Sequence, residues 1–381
     1  MRELIEAAIV KKARAELRKQ QRSEATRKKY AAKFHTRTGN KAGAPALKEP
    51  AVWSLHPHFD PRYCIKHAPY LARVIWSKLQ AGTYQTVPAV RFSIEKPGGG
   101  ARIINCFTVV DSAIANLVHS IATKRNGNLF SSSSYAYRPD KTIFDAIINL
   151  RRSIKGHKIY VVQYDFRRYF DSIDHLYLEK IIKDADHFIL SSSERAAIRA
   201  FMAYRFASFE DYSGGIYETS ATGVPQGSSL SLFLANATSH ALDVKLEKMN
   251  GSFVRFADDV VAVTASYSDA LSIAHAFTSH CDSAGLSINR DKSPGICLLG
   301  DSIELDQRTH VIDGDDVATI KTISSFDYLG HNIGHNIVRL PDKSIKRIKR
   351  RVAEIIYKHL LMYIRDKTDP PYIGSISKDR I

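Results

Sequence analysis

The chain has 381 residues, 44% hydrophobic and 25% charged, an ordinary globular composition with room for two or three subdomains. No run approaches the roughly 18 apolar residues that cross a bilayer, the N-terminus lacks a secretory pattern, and the cysteines at 64, 106, 281 and 297 lack metal-type spacing. These features disfavour a membrane protein, a disulfide scaffold and a zinc module, and the expectation is a soluble cytoplasmic protein with reduced, buried cysteines. The net charge of +16 is concentrated at the ends. Residues 1–50 hold 14 Lys and Arg against 5 Asp and Glu, residues 341–381 hold 11 against 5, and the stretch between is nearly balanced at 30 against 29. Basic arms around a neutral body suit a polyanion bound by counterion release, so RNA or DNA is the expected contact. A solvated basic tail is the alternative.

In chain order, residues 1–34 read as a helix and 35–50, rich in Gly and Pro, as a linker. Residues 68–81 form an amphipathic helix. A hairpin follows, with strands 89–95 and 101–106 around "KPGGG". Residues 111–124 and 140–155 are helical by period, and "KIYVVQYD" (158–165) is a strand that ends in an aspartate. A mainly helical stretch (174–206), a short hairpin around "YSGGIY" and a long helix (228–249) come next. "GSFVRFADDVVAVTAS" is a hairpin with two aspartates at its turn, 268–284 is helical, and 286–340 are mostly short strands. A basic helix spans 342–366. The class is α+β, with antiparallel strands around the acidic positions.

Asp258 and Asp259 lie side by side in an apolar, β-branched hairpin, and Asp165 ends another apolar strand. A plain turn would account for one such aspartate. Three carboxylates meeting at one sheet edge would repel and be poorly solvated unless a cation sat between them. Magnesium takes hard oxygen ligands and keeps positions open for phosphates. A pair of such ions is the apparatus of nucleotidyl transfer.

The segments "YVVQYDFRRYFDSIDH" (160–175), "GVPQGSSLSLFLAN" (223–236) and "FADD" (256–259) resemble successive palm motifs of reverse transcriptases, in the bacterial lineage of group II intron, retron and abortive-infection enzymes. "FSIEKPGGGARIIN" (92–105), "SSSSYAYRPDKTIFDAI" (131–147), "AGLSINRDKSPG" (284–295) and "FDYLG" (326–330) resemble the flanking motifs, in the family's order. The resemblance implies a right-hand polymerase fold. A basic N-terminal arm and linker (1–50) would precede fingers with a leading segment (51–157), a palm whose antiparallel sheet is backed by helices (158–340), and a short helical thumb (341–381), reduced or cut short.

It also implies roles. Asp165, Asp258, Asp259 and the Phe166 carbonyl would hold two magnesium ions, with manganese as a substitute, and Phe170 would be the steric gate against a ribose 2′-hydroxyl. Lys96 and Arg102 would meet the incoming triphosphate, Gln226 and Gly227 the nucleotide and template, and Tyr328, Leu329 and Gly330 the primer. Lys292 matches a lysine proposed to protonate pyrophosphate. For several of these an ordinary reading stays open: a core ring for Phe170, an exposed hairpin tip for Lys96 and Arg102, a surface lysine for Lys292. The chain departs from the family pattern at Phe256, where most relatives carry Tyr, and at Ala136–Tyr137, which replaces the usual Gly–Phe.

The leading segment 53–79 resembles that of stand-alone, "unknown group" reverse transcriptases linked to phage defence. The expected function is therefore RNA-directed DNA polymerisation from dNTPs on an RNA template, a dedicated non-coding RNA, in antiphage defence. A retron or other mobile-element enzyme and a vestigial RNA-binding protein are the alternatives. The priming mode and oligomeric state stay open.

Overall fold

The computed structural model describes residues 1–39, 48–95, 100–156, 158–183, 188–300, 308–313 and 316–363. The chain opens with α1 (Arg2–Thr38), about 55 Å long at the usual helical rise. Ile5, Ile9 and Ala13, spaced four apart, are buried on one stripe, and no described residue of α1 beyond Ala13 is. The helix ends at Gly39, whose left-handed φ of +67 lets its N–H reach the His35 carbonyl. It therefore runs four residues past the expected end, because the stop signal is that glycine rather than the first polar residues of the linker.

α2 (Pro61–Lys66) and α3 (Ala68–Gln80) pack along α1. β1 (Ala89–Glu95) and β2 (Ala101–Cys106) form the expected hairpin, then α4 (Val109–Asn126) packs on α1. α5 (Ile143–Ser153) starts from a capping box made by Thr142 and Asp145. β3 (Ile159–Asp165) leads into the short α6 (Tyr169–Ser172), α7 (His175–Lys183) and α8 (Ser192–Met202). β4 (Arg205–Ser208) and β5 (Glu218–Thr219) extend the first sheet, whose order is β2-β1-β4-β5.

α9 (Leu230–Glu247), β6 (Ser252–Phe256), β7 (Asp259–Thr264), α10 (Tyr267–Ala284) and β8 (Gly295–Leu299) follow. β9 (Thr309–Asp313) and β10 (Asp316–Thr319) make a separate pair, and β11 (Lys321–Ile323) joins β8 in parallel. β12 (Ser325–Tyr328), β13 (His331–Gly334) and β14 (Val338–Arg339) form a small antiparallel sheet. The basic α11 (Asp342–Tyr363) closes the described chain and touches α1.

The central sheet has the order β11-β8-β3-β7-β6. Tyr160, Val162 and Tyr164 of β3 face the main core with α9 and α10; Ile159 and Val161 face a second core with α5 and the β12–β13 hairpin. Burial on both faces explains why β3 reads as a nearly continuous apolar run. Gln163 and Asp165 share the second face by strand alternation. This places the polar end of β3 beside the β12–β13 hairpin.

Candidate active site

β3 and β7 run antiparallel with Asp165 directly opposite Asp259. Their side chains share one face, with Cβ atoms about 4.5–5.5 Å apart for such a pair. Asp258 precedes Asp259 in a two-residue turn closed by the Phe256–Asp259 pair. Ala257 takes φ +61 there, a strain of roughly 1–3 kcal/mol for a residue with a Cβ. The strand end and the hairpin tip therefore meet, as the sequence pattern requires.

The three carboxylates feel one another. Burial first, then the charges of Asp165 and Asp258, pushes Asp259 up to about 7. Burial, reinforced by Asp165, raises Asp258 as well. Asp165 is held by the segment after α10: its carbonyl accepts from Asn289 N at 2.7 Å, and its N–H donates to Ser293 Oγ at 2.9 Å. Asn289 Nδ2 donates to Asp165 Oδ2 at 3.2 Å, and Lys292 Nζ lies 3.5 Å from the same oxygen.

Among the described residues no group of three or more His, Cys, Asp or Glu side chains forms a ready-made metal cage. The donor set nonetheless fits magnesium. All its atoms are hard oxygens, the carboxylates resist ionising together, and a magnesium site normally leaves positions to substrate phosphates. The Phe166 side chain is buried and stacked on Tyr169 at 5.3 Å. The backbone bonds that join residues 165 and 167 to 287–289 flank Phe166 without engaging its carbonyl.

Phe170 is half-buried, with its ring 6.4 Å from Tyr137 and 5.8 Å from Tyr169. Its carbonyl accepts from Val224 N at 2.6 Å. This close approach depends on Gly223, where φ is +74 and an added Cβ would stand 2.6 Å from Phe170 O. Gln226 Nε2 donates to Asp171 Oδ1 at 3.0 Å. Gly227, at φ +120, lies so close to β2 that a Cβ would come within 2.3 Å of Asn105 O. The close contact that glycine permits here is with a neighbouring strand.

Arg102 is exposed on β2, and its charge is felt at Asp258 and at Tyr137. Lys96 lies outside the described residues. Tyr328 is 1% exposed, and its hydroxyl donates to Val254 O at 3.1 Å and Asp259 O at 3.3 Å. It therefore meets the site through the backbone of the acidic hairpin, while Leu329 (φ +46) and Gly330 (φ +76) make the β12–β13 turn.

Two residues escaped the sequence reading. Gly223 looks like any loop glycine until the backbone beside it is known. Arg255 carries a signal in the sequence, a cation inside an apolar strand next to two aspartates. It is fully buried, and its Nη1 donates to Ala257 O at 3.1 Å in the acidic turn.

A family model described as "Reverse transcriptase (RNA-dependent DNA polymerase)" matches residues 94–333. The chain is 27% identical over 182 residues to the group II intron-encoded protein LtrA of Lactococcus lactis, covering 48% of this chain and 29% of that protein. It is 27% identical to an uncharacterized 91 kDa protein in the cob intron of Schizosaccharomyces pombe, covering 47% and 21%, and 22% identical to protein YkfC of Escherichia coli, covering 46% and 45%. The chain thus spans less than a third of the length of the first two relatives. Among solved structures, telomerase from Candida albicans in complex with a fragment of telomeric RNA is 15% identical, with a TM-score of 0.49, covering 80% of this chain and 56% of that one. Among the described residues no helix is long and apolar enough to cross a membrane.

Proposed function

Because this chain belongs to the reverse transcriptase (RNA-dependent DNA polymerase) family and has its α+β right-hand fold, we propose that it is an RNA-directed DNA polymerase centred on Asp165, Asp258 and Asp259. The observation that carries the reading is the register pairing of Asp165 with Asp259, with Asp258 next to it in the turn. The family uses divalent metal ions. The three carboxylates and the Phe166 carbonyl would hold two magnesium ions, or manganese in their place. When bound, such ions activate the attacking hydroxyl and stabilise charge on the leaving oxygen.

The reaction joins a primer hydroxyl to the α-phosphate of a dNTP and breaks the bond to pyrophosphate. Arg102 and Lys96 neutralise the triphosphate. Lys292, beside Asp165, supplies a proton to the departing pyrophosphate. Phe170, braced by Tyr137 and Tyr169, occupies the space a ribose 2′-hydroxyl needs. Gln226 and Gly227 border the nucleotide and template, and the turn after Tyr328 supports the primer. Residues 51–157 serve as fingers, 158–340 as palm and 341–381 as thumb.

The basic arm 1–50 and the thumb helix suit an RNA partner, the template being a cognate non-coding RNA. Two biological settings are open to the enzyme. The resemblance of the leading segment 53–79 supports antiphage defence; the match to LtrA, a group II intron-encoded protein, supports a mobile-element role. Sequencing the RNA and DNA that co-purify separates them. The enzymatic reading is tested by primer extension on a defined RNA template with dNTPs or rNTPs. Wild type extends with dNTPs, and Phe170→Ala gains rNTP incorporation. Wild type as inert as Asp258→Ala/Asp259→Ala in either metal points instead to an RNA-binding protein with a vestigial core.

A further inference from the structure

Arg255 and Asp243 form a buried ion pair, each side chain 0% exposed, immediately behind the acidic turn. Every guanidinium donor is used. Nε and Nη2 grip the two oxygens of Asp243 at 2.7 and 2.6 Å. Nη2 also donates to Ser134 Oγ at 2.8 Å, and Nη1 divides between Asn236 Oδ1 and Ala257 O, both at 3.1 Å. The main chain of Arg255 is tied as well: its N–H donates to Ser133 O, and its carbonyl accepts from Tyr135 N, each at 2.9 Å. Asn236 Nδ2 completes the network on Ala136 O at 2.9 Å.

One side chain thus joins three parts of the molecule. It holds the carbonyl of Ala257, the residue whose strained φ sets up Asp258. It holds Ser134 of the 133–136 segment, whose main chain pairs with that of Arg255 and which runs directly into Tyr137, itself at φ +60 and against the Phe170 ring. Both are anchored on α9 through Asn236 and Asp243. The same helix takes the Tyr169 hydroxyl, which donates to Ala235 O at 2.6 Å and meets Ser239 Oγ at 2.6 Å. The acidic turn and the ring cluster beside it therefore share one reference helix.

Stability alone is a poor reason for such a pair, since apolar side chains of similar volume commonly replace a buried pair at no net cost. Arginine's planar fork suits geometry instead, because it can grip a carboxylate and still present donors elsewhere. We propose that Arg255 is a positioning residue for polymerisation: it fixes Asp258 against the nucleotide pocket by locking the Ala257 carbonyl and the 133–136 segment onto α9. This rests on the reading of Asp258 as part of the catalytic metal site.

Two variants test it. Arg255→Lys keeps the charge opposite Asp243 but cannot also reach Ala257 O, Asn236 and Ser134. Asp243→Leu/Arg255→Met removes both charges together and leaves neither buried alone. Circular dichroism and thermal melting establish folding. Single-nucleotide primer extension gives kcat and the dNTP KM, and electron paramagnetic resonance gives Mn2+ binding by the nucleotide-free protein. The expected result in both folded variants is a kcat lowered roughly ten- to hundredfold, as sub-ångström misplacement of a reacting group produces. The dNTP KM stays within about threefold and Mn2+ binding weakens about tenfold.

Asp258→Ala is measured alongside. If it keeps wild-type turnover, the reading of the carboxylates fails, whatever Arg255 does. If it is inert while a folded Arg255 variant matches wild type in kcat and Mn2+ binding, the positioning role is overturned. If neither Arg255 variant folds, the pair is a requirement of the fold, and the positioning role is rejected on that ground.

Discussion

Two antiparallel hairpins carry the charges of the site, and they are built in opposite ways. In β6–β7 almost every residue is buried on one core or the other, the turn is held by Arg255 and Tyr328, and a strained alanine is tolerated at its tip. In β1–β2 only the base is buried: Ser93, Ile94, Arg102 and Ile103 are exposed on the outer part. The difference matches the roles proposed for the two hairpins. Carboxylates that share cations have to be held at fixed separations against their own repulsion, which takes a rigid, poorly solvated frame. Cations that close on a triphosphate can stay solvated until it arrives, and an exposed hairpin lets them.

That contrast can be attacked first where it is strongest. Replacing Asp258 with alanine in the rigid hairpin should lower single-nucleotide turnover about a thousandfold or more, with melting temperature unchanged or raised. A loss below tenfold would remove the rigid hairpin from the chemistry. Gly223→Ala comes next. It drives a Cβ into the backbone of Phe170 and Asp171 at a left-handed φ, so turnover should fall roughly a hundredfold, with a lower melting temperature and weaker discrimination against rNTPs. Unchanged discrimination would show that the gate does not depend on this contact.

In the open hairpin, Arg102→Ala should raise the dNTP KM roughly tenfold or more, as loss of a charge-assisted contact does, and leave the melting temperature alone. A shift in melting temperature instead would make Arg102 a structural residue, contrary to its exposure.

The smallest effect concerns pH. Asp259 is pushed up to about 7, mainly by burial. A cation competes with the proton on that carboxyl, so binding is weakened below that pH and unhindered above it. Half-saturating Mg2+ should fall as pH rises towards 7, by at most about tenfold per unit for a single proton, and then level off. A flat profile from pH 5.5 to 8 would contradict the crowding of carboxylates inferred for this hairpin.

Much of this was legible from residues alone, for reasons that differ by element. The strands 89–95 and 101–106 were visible because a glycine-rich break separates two β-rich runs, and β3 because a strand buried on both faces is apolar throughout. The meeting of Asp165 with Asp258 and Asp259 was implied by the resemblance of their segments to successive palm motifs, with a shared cation to offset the repulsion. What escaped depends on long-range placement. The short strands of 286–340 were expected, but not that β11 would join β8 in parallel while β9 and β10 pair apart. Gly223 and Gly227 are explained only by the backbones of Phe170 and Asn105, distant in sequence. Arg255 shows the same limit, since a buried cation is intelligible only with Asp243 and Ala257 on view.

The most direct test of the central claim is a crystal structure of the protein with an RNA–DNA hybrid, a non-reactive dNTP analogue and Mn2+, using anomalous scattering to locate the ions. The account predicts a manganese ion within about 2.2 Å of carboxylate oxygens from both Asp165 and Asp258, at the triphosphate. Ions bound by only one of these residues, or elsewhere on the chain with the triphosphate, would contradict it.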